Sequence, residues 1–236
     1  MNILNNILLK GNQMCFSAEA SFAGGVVIST IGVFTVREVH KPSQIAFACI
    51  PLFFGVQQFT EGFLWLTLPN HDHGSLQLFC TYLFLIMADV LWPLMIPLSV
   101  LLMEENKKRK KALRILLSVG IILSIYYAFC LLFYNVTPHI MGYHIEYNTD
   151  FPRSLAIFAF AVYLIVTITP LFISSIERTH LLGILMTLSC AVTVIFFMQF
   201  LASVWCFFAA LISGVIFWIL RDAKKKFNIE KLLLGK

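Results

Sequence analysis

Charged side chains are scarce in this chain: Asp, Glu, Lys and Arg together make up 12% of its 236 residues. Soluble domains carry charge on about a quarter of their residues, so an aqueous globular fold is excluded. Linkers are lacking too, since no Pro-, Gly- or Ser-rich stretch is long enough to set off a second domain. No secretory cleavage pattern is present: residues 1–13 hold one Lys and no small-residue cleavage site. The cysteines (Cys15, Cys49, Cys80, Cys130, Cys190 and Cys206) lack paired metal-ligand spacing and fall mostly inside apolar runs. Most of them read as small packing residues, and they do not fix the redox compartment; no metal centre and no cofactor is expected.

Apolar residues fill the space that charge leaves, at 59% of the chain, with 23 Phe and a mean hydropathy of +0.86. A membrane-crossing helix needs about 20 apolar residues to cover some 30 Å of hydrocarbon. Seven such runs occur, at about 20–36, 45–68, 76–103, 112–134, 154–175, 181–199 and 202–220. The expected fold class is therefore all-α, an integral membrane bundle of seven transmembrane helices. A leader over residues 1–13 precedes it, the bundle occupies 14–220, and a basic tail follows over 221–236. In the first span Ser17, Ser21, Gly25 and Ser29 recur every fourth residue, a seam of small side chains that lets membrane helices approach closely.

Orientation follows from the basic residues, because cytoplasmic loops carry the Lys and Arg excess. Arg37, Lys41, the run 107–111, Arg114, Arg178, Arg221, the run 224–226, Lys231 and Lys236 fall on one side, leaving Lys10 and Arg153 opposite. Seven spans with this bias put the N-terminus outside and the C-terminus in the cytoplasm. The net charge of +5 is then a topology signal, with membrane lipids as partners and no nucleic acid.

Against this apolar background the intramembrane polar residues stand out. Gln57, Gln58 and Glu61 interrupt the second span, and Asp89 lies in the third, just ahead of Trp92 and Pro93. A charged residue within a span costs roughly 2.5–3.5 kcal/mol on insertion scales, so it faces a bundle interior or a wet cavity. At helical spacing Phe54, Gln57, Glu61 and Trp65 share a face. Pro93 removes a backbone donor and frees the carbonyl four residues back, that of Asp89. Most polar residues collect in the outer half: Glu19 heads the first span, Gln199 ends the sixth, and Ser203 and Trp205 begin the seventh. Above them lie His71, Asp72 and His73, and a loop carrying His139, His144 and Glu146. There His144 and Glu146 alternate with Tyr143, Ile145 and Tyr147, the period of an extended lid. The candidate site is a pocket opening outward, lined by Gln57, Gln58, Glu61, Trp65, Asp89, Trp92, Glu19, Gln199, Ser203 and Trp205 and covered by His139, His144 and Glu146. Within it Gln57 is the expected bridge between Glu61 and Asp89.

Several blocks together carry a resemblance. They are Met14-Cys15-Phe16-Ser17-Ala18, Phe54-Gly55-Val56-Gln57-Gln58 continuing to Glu61-Gly62 and Trp65-Leu66, then Trp92-Pro93, His144-Ile145-Glu146-Tyr147, and Ser203-Val204-Trp205-Cys206-Phe207-Phe208. The chain resembles a bacterial family of uncharacterised multi-pass membrane proteins whose members begin Met-Cys-Phe-Ser-Ala. The likeness runs from Met14 to the seventh span. It implies seven spans in a bacterial inner membrane and brings no reaction with it. Residues 1–13 lie outside the pattern, which leaves Met1 and Met14 as alternative starts.

Three functions fit these residues. Intramembrane carboxylates, amides and proline-broken helices suit a ligand-binding or transport-type protein for a small molecule or lipid, although no inverted repeat is evident. Glu61 and Asp89 as acid and base would suit an intramembrane hydrolase acting on lipid, although the seventh span lacks a histidine pair. A structural or assembly partner would use the same seam only to fix helix packing.

Overall fold

A computed structural model of the chain describes residues 17–69, 74–142, 144–197 and 201–233, without the side chains of residues 153, 177, 193–207 and 230. Seven helices run through the described residues. They are α1 (Ala18–Arg37), α2 (Ile45–Thr67), α3 (Gly74–Met103), α4 (Lys107–Phe133), α5 (Arg153–Ile173), α6 (Glu177–Phe197) and α7 (Leu201–Leu233). Between α4 and α5 a hairpin pairs β1 (Val136–Met141) with β2 (His144–Thr149), so the fold is mostly helical with one small sheet. Four segments, Ala18–Arg37, Gly74–Met103, Lys107–Phe133 and Ser154–Ile173, are long and apolar enough to cross a membrane. They turn large apolar side chains outward, among them Val26, Phe34, Ile122, Leu132, Ile157 and Phe158. Soluble monomers rarely expose contiguous apolar patches of that kind, and the four helices mark a membrane protein.

Each helix starts and stops for local reasons. Ser17 caps α1 by accepting from the Ala20 N–H at 3.3 Å, and Asn106 caps α4 by accepting from Lys108 and Arg109 N–H groups at 2.9 and 3.3 Å. The basic run 107–111 occupies the first turns of α4, where the helix dipole disfavours cations. The dipole therefore does not account for its position.

Packing between α1 and α2 is close because small residues meet bulky ones. A Cβ on Gly32 would fall 2.6 Å from Leu52 Cδ2, and one on Gly55 would collide with the Ser29 hydroxyl. The buried face of α1 is Ser21, Gly25, Ile28, Gly32 and Thr35. It shares Ser21 and Gly25 with the expected four-residue seam and then steps by three, as a helix of 3.6 residues per turn must to keep facing one neighbour.

One apolar core passes through all seven helices, with Ile28, Phe47, Trp92, Leu113, Tyr163, Leu182 and Ile216 among its members. At the basic end the loops are tied together. Lys224 lies 3.4 Å from Glu38 and donates to the Arg37 carbonyl at 2.8 Å, Lys41 lies 3.5 Å from Glu105, and Arg178 lies 3.0 Å from Asp222. Residues 221–233, expected as a tail, continue α7 as helix. They are mostly good helix formers without Pro or Gly, and 33 residues reach about 50 Å, beyond the hydrocarbon of a bilayer.

Candidate functional site

The polar seam sits on α2, where Gln57, Gln58, Thr60 and Glu61 are all buried. Gln57 and Gln58 are neighbours in sequence and so point to different partners. The Gln57 Oε1 accepts from the Trp92 indole N–H at 3.2 Å, and Phe54, one turn below, packs on the Trp92 ring with centroids 4.3 Å apart. Gln58 turns to the other side, where a Cβ on Gly24 of α1 would meet its Oε1 at 3.2 Å. Its amide approaches Glu61 Oε2 at 3.5 Å, and Glu61 itself is only 3% exposed.

Asp89 lies in a π-helical stretch, Ile86–Leu91, immediately before Pro93. Three residues of α3 separate it from Trp92 and four of α2 separate Glu61 from Gln57, so the two carboxylates stand at similar depth, about one turn above the Gln57–Trp92 bond. They face different neighbours. Asp89 is close enough to Tyr127 and Cys130 of α4 to act on them electrostatically, and among the described residues no hydrogen bond joins it to Gln57 or Glu61. The expected bridge through Gln57 is thus replaced by the Gln57–Trp92 bond, because the wider i→i+5 turn rotates Asp89 off the Trp92 face. The freed acceptor changes as well. With i→i+5 pairing the donor missing at Pro93 leaves the Ala88 carbonyl open instead of that of Asp89, and Ala88 O accepts from the Tyr163 hydroxyl of α5 at 2.8 Å. The Ser124 hydroxyl of α4 bonds Val90 O, also at 2.8 Å. Tyr163 and Ser124 were not legible as site residues, since nothing near them in sequence signals an acceptor on another helix.

The hairpin covers the ends of these helices opposite the basic loops. Its strands pair in antiparallel register from Val136↔Thr149 to Met141↔His144, and Gly142 takes φ 62°, the left-handed conformation a tight hairpin turn requires. Ile145 packs with Leu64, Cys80 and Trp65, and the Tyr147 ring stacks on Phe84 at 4.9 Å. Leu64 is about one turn beyond Glu61 along α2, so the hairpin rests directly over the seam. His139 and Glu146 are cross-strand partners on the outer face. His144 is buried, and that burial holds its pKa below the ordinary histidine value. Glu19, in the first turn of α1, is exposed. His71, Asp72, His73, Tyr143 and Gln199, and the side chains of Ser203 and Trp205, lie outside the described residues.

Among the described residues no three His, Cys, Asp or Glu side chains gather as metal ligands would. Two cavities lie away from the seam. One is an apolar groove between α4 and α5 lined by Ile122, Tyr126 and Phe158, and the other lies at the basic end of the bundle. Chemically, the seam offers a buried carboxylate and two amides that can accept or donate, with a second carboxylate across α3. Compared with known proteins, residues 14–230 match a family of unknown function, DUF6629, and the chain belongs to it. No curated protein and no solved structure matches the chain.

Proposed function

We propose, for this member of a family of unknown function, a seven-span membrane protein with its N-terminus outside and its C-terminus in the cytoplasm, whose outer half binds or passes a small polar or amphiphilic ligand. The membrane is the cytoplasmic membrane of a bacterium. Supporting the topology, the loops rich in Lys and Arg are joined by ion pairs at one end of the bundle, and the hairpin closes the other. Helix α2 counts as a span in this reading although Gln57, Gln58 and Glu61 dilute its apolar character, because those side chains turn inward.

The observation that carries the pocket reading is Glu61, a carboxylate 3% exposed inside an apolar bundle, with an amide at 3.5 Å and the lid one turn above it. Such a group is costly wherever it is buried, and it gains a purpose when a ligand or proton reaches it from outside. The test is a cysteine placed at Gln58 in a cysteine-free background of the whole chain. A membrane-impermeant maleimide added to intact cells is expected to label it, and labelling only after detergent lysis would remove the outward pocket.

One observation favours the purely structural alternative. The Trp92–Gln57 hydrogen bond with the Phe54–Trp92 ring contact is a clamp between α2 and α3. Under the pocket reading Glu61→Gln accumulates normally and fails in ligand binding, whereas under the clamp reading Glu61→Gln changes nothing and the abundance of Gln57→Ala falls.

A further inference from the structure

At the basic end, away from the seam, a cavity of about 430 Å³ opens where the end of α3, the turn between α5 and α6, and α7 meet. Met103, Ile219 and Leu220 form its apolar wall, toward the membrane-spanning part of the bundle, while Gln44, Arg178 and Lys226 supply its polar one. This is the layout of a site for an amphiphile at a membrane boundary.

The cations are arranged for an anion. The Arg178 guanidinium lies 4.0 Å over the Trp218 ring, which fixes its plane, and a fixed planar fork of donors matches phosphate oxygens. Its Nη1 is 3.0 Å from Asp222 Oδ2, yet that buried nitrogen makes no properly directed hydrogen bond, so a donor is left to be satisfied. Lys226 reaches the same Asp222 oxygen at 3.7 Å from a side chain that is 79% exposed. Two cations of the lining share its carboxylate, Asp222. Glu104, behind Ser175, does not compete for them, because its oxygens already accept from the Ser175, Asn106 and Glu105 backbone N–H groups and the Ser175 hydroxyl.

We propose that this cavity binds a phosphate group, held by Arg178 and Lys226, carried either by a phospholipid headgroup or by a soluble phosphate ester. Basic pockets between helices on the cytoplasmic side suit lipid headgroups in this way. The proposal does not rest on the outer pocket, and it stands or falls separately.

The experiment uses the full chain purified in a maltoside detergent, read by native mass spectrometry and by thermal midpoint. Three probes are added: dioleoylphosphatidylglycerol, dioleoylglycerol with the same tails and no phosphate, and glycerol 3-phosphate with no tails. The expected result is a one-to-one adduct and a raised midpoint with the phospholipid but not with dioleoylglycerol. Arg178→Gln and Lys226→Gln should each weaken it about tenfold, the loss of one charge-assisted hydrogen bond. Equal, Arg178-dependent binding of glycerol 3-phosphate would identify the soluble ester as the source of the phosphate. Absence of binding by either phosphate compound, or binding undiminished in both variants, overturns the proposal. Should Arg178→Gln fail to accumulate, Lys226→Gln decides, since that exposed side chain is not needed for folding.

Discussion

Glu104 shows how a single buried carboxylate can hold two turns of a membrane bundle together. It is 1% exposed at the end of α3 and accepts from Ser175 N and Oγ, each at 2.6 Å, and from Asn106 N at 2.8 Å and Glu105 N at 3.0 Å. Burial by itself raises its pKa, but the hydrogen bonds to the ionised form outweigh it, and the carboxyl titrates below its ordinary value of 4.5. A carboxylate whose folded pKa is depressed contributes stability that is fully present above the unfolded value and lost as the pH falls through the folded one. The thermal midpoint of the detergent-solubilised protein should therefore fall below about pH 4.5. Glu104→Gln should start from a lower midpoint at neutral pH and lose less on acidification, and an unchanged acid slope in the variant would show that other groups dominate.

Among the elements, α3 departs most from regular geometry, and its neighbours are built around that departure. The π stretch and Pro93 leave carbonyls that Tyr163 and Ser124 satisfy from α5 and α4. Helix α4 comes close enough to supply Ser124 because Gly120 has no side chain at the crossing. A Cβ there would collide with the Pro93 carbonyl oxygen and meet Val166 Cγ1 at 3.0 Å. Backbone cannot move aside as a flexible side chain can, so Gly120→Ala should destabilise the protein by about 1–3 kcal/mol. The measurement is the unfolding midpoint in a mixed-micelle denaturation series. Gly214→Ala in α7, where a Cβ would meet nothing within 4 Å, is the control expected to change little, and equal effects of the two would refute the crossing argument.

For the whole molecule, the arrangement that matters is the division of the bundle into two ends. Ion pairs gather the turns before α2, α4 and α6 and the extension of α7 at one end, and the hairpin caps the other, with Ile145 and Tyr147 packed down on α2 and α3. In intact cells a cysteine at Asn148, on the exposed end of β2, should react with an impermeant reagent. One at Asn106, the cap of α4, should react only after lysis. The reverse pattern would invert the molecule, turning the lid toward the cytoplasm and the phosphate site toward the outside.

The sequence by itself determined what depends on composition and local order. Scarce charge and long apolar runs made the chain a membrane protein. Pro93 announced an irregular helix, and the alternation around Ile145 and Tyr147 marked the extended segment that is β2. Tertiary structure decided every pairing, because a pairing depends on how each helix is rotated about its own axis against neighbours distant in sequence. Gln57 meets Trp92 instead of bridging two carboxylates. The π turn directs Asp89 to Tyr127 and Cys130 and shifts the open acceptor to Ala88. Glu104 finds Ser175, 71 positions away, and Arg178 finds Trp218 and Asp222. In an apolar bundle many rotations bury similar area, and the few polar contacts that single out one of them become visible only when the helices are packed together.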